Sequence, residues 1–180
     1  MGYFAVVLTR QEDGWDTNDI ELDEIDSLSD LADAMRDIAE DADSDGPALL
    51  LLEQEDLWFA IVRVDSDDDP RVFVSDRSAI EHSAYAEMLL EAALGDDEAE
   101  LDDLDSGEDS EDSKEDEDED DDREAEAEDG PVGDFEILLD LGTNPDALLD
   151  LCSSEGVLPS EALTVLAERA GAVGALEAVR

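Results

Sequence analysis

Several carboxylates in this chain occur at the spacing with which calcium-binding loops hold their ion. The clearest half-match to an EF-hand loop consists of Asp41, Asp43, Asp45 and Gly46. In such a loop alternate carboxylates supply oxygen ligands, a glycine allows the sharp turn, and the twelfth position carries a bidentate carboxylate. Here the twelfth position is Leu52, so the second half of the motif is missing. With 58 acidic residues in the chain such half-matches arise easily, and we predict no specific metal site.

Residues that supply nucleophiles and soft metal ligands are scarce. The chain has one histidine, His82, and one cysteine, Cys152. A zinc nucleoside deaminase needs His or Cys metal ligands, including a Cys-x-x-Cys pair, and a glutamate that shuttles protons. This chain cannot build that site, and a cysteine nucleophile would have no histidine in its own segment to activate it. We therefore predict no catalytic residues and no cofactor, with His82 on a helix surface or half-buried, and Cys152 in an apolar helical stripe.

Negative charge is the dominant property of the sequence. The formal net charge is −49, and 23 acidic residues lie between Asp96 and Asp129, opposed only by Lys114 and Arg123. Residues 1–95 are acidic too, with 26 acidic and five basic side chains. Phosphate binding depends on Lys and Arg, so we expect no direct binding of nucleic acid and no membrane contact. The charge favours a basic protein surface as partner, and the alternative is a solvated acidic surface without a specific partner.

The acidic segment divides the chain into parts. It has no aromatic residue and almost no apolar pattern, so it cannot bury enough surface to offset the entropy of ordering. We predict an α+β domain over residues 1–95, a disordered acidic linker over 96–130 and a small helical module over 131–180. A single cysteine fits a reducing cytoplasm, and apolar runs such as Ala48–Leu52 are far too short to span a membrane. A cytoplasmic location is therefore expected.

Hydrophobic periodicity predicts a sheet with helices on it in the N-terminal part. The expected strands are Tyr3–Thr9, Ala48–Glu53, Leu57–Val64 and Arg71–Ser75. The third strand is apolar on both faces and should be central, and a turn is expected at Gln11–Trp15. One helix should start at Ser27, and a second, from Ser78, should bury Ile80, Ala84, Met88 and Ala92. The order β-α-β-β-β-α indicates an α+β fold with a mixed, mostly antiparallel sheet.

The C-terminal part shows only helical patterns. We expect a short helix over Asp134–Leu141, a second from Pro145 capped by Asn144 or Thr143, and a third from Pro159 that Gly171 interrupts. Residues 172–179 would add a last turn or two. Because the core of this module is thin, we expect it to dock on the N-terminal domain, on a second copy of the chain or on another protein.

Short motifs follow one another in a characteristic order on both sides of the acidic segment. In the N-terminal part they are Tyr3-Phe4-Ala5-Val6-Val7, Gly14-Trp15, Gly46-Pro47-Ala48, Trp58-Phe59, Val62-Arg63-Val64 and Val74-Ser75-Asp76. In the C-terminal part they are Asp140-Leu141-Gly142, Leu158-Pro159-Ser160-Glu161-Ala162-Leu163 and Ala167-Glu168-Arg169. Taken in order, they make the chain similar to the bacterial tRNA adenosine deaminase-associated proteins, over most of residues 3–95 and 134–180.

That resemblance implies a genomic association with the enzyme that converts wobble adenosine in tRNA to inosine, no established enzymatic activity, and no functional residues to transfer. We therefore expect a non-catalytic accessory or regulatory protein that contacts tRNA adenosine deaminase, whose RNA-facing basic surface the acidic segment could screen. One alternative is an acidic structural protein, or a homo-oligomer, with no direct role in tRNA modification. Another is an enzyme with an unrecognised acid–base pair, for which a pocket near Arg63, Arg71 or Arg77 would be the first sign.

Overall fold

A computed structural model of the chain describes residues 2–44, 46–55, 57–65, 68–81, 83–94, 130–153 and 157–179. Residues 96–129 of the predicted linker lie outside this part of the chain, as does His82. Within the described ranges the strands are Tyr3–Gln11 (β1), Gly14–Asp19 (β2), Ala48–Gln54 (β3), Trp58–Val64 (β4), Arg71–Val74 (β5) and Val132–Gly133 (β6). The α-helices are Leu28–Asp41 (α1), Ala84–Leu94 (α2), Pro145–Ser153 (α3), Pro159–Ala170 (α4) and Val173–Glu177 (α5). Short 3₁₀ helices occur at Leu22–Glu24, Arg77–Glu81 and Leu139–Leu141.

The strands form one sheet in the order β2-β1-β3-β4-β5-β6. Each neighbouring pair in this sheet is antiparallel, so the predicted α+β class with a mostly antiparallel sheet is confirmed. The chain reaches β3 from β2 through α1, which places β1 between these two strands. The predicted central position of Trp58–Val64 is also confirmed, because β4 lies between β3 and β5 and all its residues are buried.

Both faces of the sheet are covered by helices. Successive side chains of a strand point to opposite faces, so neighbours such as Leu49 and Leu50 enter different cores. Leu50 lies in the core that α1 and α2 cover, with Met35 of α1 and Leu89 of α2. Leu49 lies in the core that the C-terminal helices cover, and Leu163 of α4 packs there. The molecule thus has three layers: α1 and α2 (the α1–α2 layer), the sheet, and α3 to α5 with the preceding turns (the C-terminal layer).

The structure confirms the predicted start of α1 but not the predicted buried face of α2. The start of α1 at Ser27 is confirmed, since the Ser27 hydroxyl accepts the backbone N–H of Asp30 at 3.2 Å. Of the predicted stripe of α2, Met88 and Ala92 pack partly buried on the core and Ala84 is exposed. The residues that α2 buries completely are instead Ala86, Leu89 and Leu90. A 3₁₀ helix ends first, and the Ser83 hydroxyl then accepts the N–H of Ala86 at 3.3 Å. Because α2 starts after this cap and not at Ser78, a different set of its side chains faces the core.

Two strands were not predicted, and both lie at sheet edges. β2 pairs with β1 where a turn was expected at Gln11–Trp15, and the observed turn is confined to Glu12 and Asp13. β6 pairs with β5 and brings the chain back to the sheet at the start of the C-terminal layer. Gly133 in β6 has φ = 108°, and a Cβ there would collide with the carbonyl oxygen of Val72. Only glycine fits this close approach.

Two of the C-terminal helices begin at the residues that the sequence indicated. The Asn144 side chain accepts the N–H of Ala147 at 2.8 Å and caps α3, and Pro145 is the first residue of that helix. α4 begins at Pro159 and ends at Ala170, where Gly171, with φ = 76°, caps it. The expected helix over Asp134–Leu141 is instead a series of turns that ends in a 3₁₀ helix. The sequence leaves three docking partners open for this segment. The structure shows that it packs on the sheet, which belongs mainly to the N-terminal part.

Candidate interaction surface

Two of the three arginines that could have marked a hidden catalytic pocket, Arg63 and Arg71, are engaged in ion pairs. Arg63 and Arg71 lie directly opposite each other on β4 and β5, where two like charges would repel. Arg63, 6 % exposed, donates to both carboxylate oxygens of Asp65 at 2.8 and 2.9 Å, and to those of Asp140 at 2.5 and 2.9 Å. Arg71 donates to Asp134 at 2.5 Å. Asp134 and Asp140 belong to the C-terminal layer, so these pairs attach that layer to the sheet.

The pKa values at this contact fit a structural role. Hydrogen bonds from Arg63 lower the pKa of Asp140, although partial burial of the carboxylate acts in the opposite direction. The same hydrogen bonds raise the pKa of Arg63 despite its burial, so the guanidinium stays charged. Arg63 also donates to the carbonyl oxygen of Ile137 at 2.9 Å, and its donors are thus directed at protein acceptors. The grooves described below are lined by other residues.

Cys152 and the half EF-hand do not form a reactive centre in the described residues. Burial raises the pKa of Cys152 to about 12, with a smaller contribution from the Asp76 carboxylate, so the thiol stays protonated at neutral pH. Its position in an apolar stripe of α3 agrees with the prediction. In the half EF-hand, Leu52 is buried in β3, and Asp45 lies outside the described residues. No group of three or more His, Cys, Asp or Glu that could hold a metal occurs in the described ranges.

Carboxylates line three grooves on the α1–α2 layer. The largest, about 1000 Å³, lies between the β1–β2 turn and the end of α1, and its carboxylates are Glu12, Asp13, Glu40 and Asp43. A groove of about 490 Å³ lies between α1 and the segment that precedes it, with carboxylates from Asp19, Glu21, Glu24, Asp30, Asp33 and Asp37. A third, about 450 Å³, lies between the start of α1 and α2, with Asp26, Glu87 and Glu91.

Hydrogen bonds fix the β1–β2 hairpin beside α1. The Gln11 amide donates to the carbonyl oxygen of Ala42 at 2.6 Å, and the Ser44 hydroxyl donates to that of Arg10 at 2.9 Å. On the other side of the hairpin, the Trp15 indole donates to the carbonyl oxygen of Ala170 at 3.0 Å. The hairpin therefore contacts both helical layers, and the carboxylates of its turn have a defined position next to α1.

The α1–α2 layer presents charge of almost one sign. Among the residues that line the three grooves, the basic one is Arg36, which contacts Asp33 at 3.1 Å and the carbonyl oxygen of Asp68 at 3.0 Å. Such a surface attracts basic protein segments and repels phosphate. No interaction role was assigned to this surface from the sequence, although the alternation of acidic and apolar residues in α1 was a visible signal of a charged helix face.

No helix within the described ranges has the length and apolar character needed to cross a membrane. Comparison with protein families identifies a family that covers most of the chain. A family model described as Rv3753c-like tRNA adenosine deaminase-associated protein matches residues 3–173. The match includes all six strands and the helices of both layers as far as the start of α5. No curated protein and no solved structure matches the chain.

Proposed function

Because the chain belongs to the Rv3753c-like tRNA adenosine deaminase-associated protein family, we propose that it is a non-catalytic accessory protein of tRNA adenosine deaminase. It acts in the cytoplasm through protein–protein contacts and regulates the enzyme without taking part in the chemistry. The observation that carries this proposal is the family match over residues 3–173. The match covers both helical layers, so the proposed role belongs to the folded protein as a whole.

The chemistry of the described side chains supports a role without catalysis. The Cys152 thiol is held protonated, and Arg63 and Arg71 direct their donors to carboxylates and a carbonyl oxygen of the protein. Catalytic acids and bases normally lie in a cleft with a pKa shifted toward neutral pH. The pKa of Asp140 is shifted away from neutrality, which suits a permanent ion pair.

Electrostatics supports a contact with an RNA-binding enzyme. An enzyme that binds tRNA must present Lys and Arg to the phosphates, so it carries a basic surface. The acidic α1–α2 layer is complementary to such a surface, and residues 96–129, which lie outside the described residues, add 23 carboxylates. We propose that these residues screen the basic surface of the deaminase until tRNA competes for it. The chain would then regulate access of tRNA to the enzyme.

The test is binding of the full chain to its cognate tRNA adenosine deaminase at low and moderate salt. Arg77 donates its backbone N–H to the carbonyl oxygen of Gly130 at 3.0 Å, so a shortened segment could strain the fold. We would therefore replace residues 96–129 with a neutral Gly/Ser/Asn linker of equal length. We expect binding that weakens as salt rises, because exposed charges are screened over about 10 Å at 0.1 M. The neutral linker should reduce both the affinity and the competition by tRNA.

Two results would count against this proposal in different ways. Unchanged affinity and unchanged tRNA competition with the neutral linker would remove the screening role and leave the accessory role. If neither form bound the deaminase, and light scattering showed a stable homo-oligomer, an acidic structural or oligomerising protein would become the better explanation.

A further inference from the structure

One groove of the α1–α2 layer combines an apolar floor with an acidic rim. It lies between α1 and the segment from Asp19 to Ile25, and we refer to it as the α1 groove. Ile20, Ala34 and Ile38 form the floor and are only partly buried, packing on the core below. The rim consists of exposed carboxylates: Asp19, Glu21, Glu24, Asp30, Asp33 and Asp37.

The local sequence explains why the floor and the rim meet. After β2 the chain makes a 3₁₀ turn closed by the Ile25 N–H and the carbonyl oxygen of Leu22 at 3.0 Å. Ile25 is 8 % exposed and anchors this segment in the core, which holds Ile20 beside the helix. On α1 itself, Ala34 and Ile38 are four residues apart and lie on one face. Ser27 fixes the start of the helix and therefore its rotation relative to the segment.

We infer that tRNA adenosine deaminase docks in the α1 groove through a basic amphipathic segment, an inference that rests on the proposed function. Carboxylates alone would be satisfied by water, but the partly exposed isoleucines and alanine gain by contact with an apolar side chain. A segment with an apolar residue flanked by Lys or Arg satisfies the floor and the rim together. Asp30 and Asp37 are seven residues apart, or about 10 Å along the helix, which is enough for two turns of a bound helix.

The other two grooves fit such a segment less well. The largest groove has four carboxylates, and of its apolar residues Ala48 and Val64 are almost completely buried, whereas Ala39 is partly exposed. The groove between α1 and α2 has three carboxylates, half as many as the α1 groove. The α1 groove thus has the most carboxylates of the three, and apolar atoms make up the largest share of its exposed lining. Charge complementarity and apolar character therefore both favour it as the docking site.

The first test changes the rim with a chemically matched control. Glu21→Gln/Glu24→Gln removes two rim charges, and Glu168→Gln/Glu177→Gln removes the same two charges from exposed positions in the C-terminal layer. In a titration against the deaminase at low salt, the rim variant should bind about fivefold more weakly, because it loses two exposed ion pairs with the partner. The control should bind as the wild type does.

The second test fills the floor. Ala34→Arg places a bulky cation in the groove, and Ala147→Arg makes the same change on α3, at another partly exposed helical position. Thermal unfolding of both variants shows whether they fold. If Ala34→Arg does not fold, the rim variant, which leaves the core untouched, decides whether the deaminase docks in the α1 groove. We expect Ala34→Arg to weaken binding by about tenfold or more through like-charge repulsion, and Ala147→Arg to leave it unchanged.

Three results would overturn the inference. If the rim variant binds as tightly as the wild type, the deaminase docks elsewhere, and the proposed function survives. If the control pair weakens binding as much as the rim variant does, the attraction is diffuse and the groove has no special part. If the wild-type chain does not bind the deaminase at all, the proposed function fails together with the docking site.

Discussion

The two helical layers of this protein cover the same sheet but are attached to it by different forces. The α1–α2 layer follows directly from the neighbouring strands in sequence and rests on apolar packing, with Met35 and Leu89 in its core. The C-terminal layer also packs on apolar residues, but two ion pairs, from Arg63 and Arg71 to aspartates, join it to the sheet. One layer thus directs its carboxylates outward, whereas the other uses two of them at its interface.

This difference separates carboxylates that join a layer to the sheet from carboxylates that are exposed to solvent. Asp134 and Asp140 neutralise two adjacent arginines, and any change at these aspartates should affect stability. The carboxylates around the α1 groove are exposed, so their removal should affect binding and leave stability nearly unchanged. Predictions that act on one layer at a time therefore test whether the two layers are independent.

The largest effect should come from the two cores themselves. Leu49→Ala and Leu50→Ala remove the same side chain from adjacent, fully buried positions of β3 that face opposite layers. We expect each variant to lose about 2–5 kcal/mol of unfolding free energy in urea titrations, through lost apolar contact and a residual cavity.

Hydrogen exchange distinguishes the two variants. Leu49→Ala should increase exchange mainly in α4, and Leu50→Ala mainly in α1, because each leucine lies in the core beneath that helix. Equal increases in both helices would show that the two layers open as one cooperative unit. The layers would then not be energetically independent.

A smaller loss is expected where the C-terminal layer joins the sheet edge. Gly133→Ala introduces a Cβ at φ = 108° against the carbonyl oxygen of Val72, and we expect a loss of about 1–3 kcal/mol from backbone strain. Gly174→Ala in α5 is the matched control, since a Cβ there meets nothing within 4 Å and alanine favours the helix. Thermal unfolding should therefore show opposite shifts. A neutral Gly133→Ala would mean that β6 does not pair with β5 in solution.

Local signals in the sequence were sufficient for the inner strands and for the caps of α1 and α3. β3 and β4 each begin with five consecutive apolar residues, and Ser27 and Asn144 cap helices through their own side chains. Edge strand β2 could not be predicted, because its residues are mostly polar and its conformation depends on pairing with β1. The same holds for β6, which has only two residues.

Contacts between residues far apart in the chain could also not be predicted from the sequence. Arg63 and Asp140 are 77 positions apart, and nothing in either segment indicates the other. For the candidate surface, the acidic face of α1 was visible as a charge pattern. The placement of Ile20 next to that face was not visible, because it depends on how Ile25 enters the core.

The helix caps should produce effects of about 1 kcal/mol each. Ser27→Ala removes the acceptor for the Asp30 N–H in α1, and Asn144→Ala removes the acceptor for the Ala147 N–H in α3. Urea unfolding of the two variants compares the layers at a shared type of contact. Similar losses of unfolding free energy would show that both helices unfold in the same global transition. If Asn144→Ala left the unfolding free energy unchanged, α3 would open separately from that transition.

The smallest effect concerns the ion pair between the layers and depends on pH. Because Arg63 lowers the pKa of Asp140 in the folded state, the ionised carboxylate stabilises the fold above its unfolded pKa of about 3.9, and this contribution is lost as pH falls through the folded value. Since the Asp140 side chain is 59 % exposed, solvent screening limits the contribution to about 1 kcal/mol or less.

The difference in unfolding free energy between the wild type and Asp140→Asn should therefore be constant above pH about 5 and shrink below pH about 4. Other carboxylates titrate in the same range, and taking the difference removes their contribution. Repeating the comparison in an Arg63→Met background closes a double-mutant cycle, in which most of the pH dependence should vanish because the main group that lowers the pKa of Asp140 is gone. A pH dependence that persisted without Arg63 would assign the low pKa of Asp140 to another group, and the C-terminal layer would then be attached mainly by apolar packing, as the α1–α2 layer is.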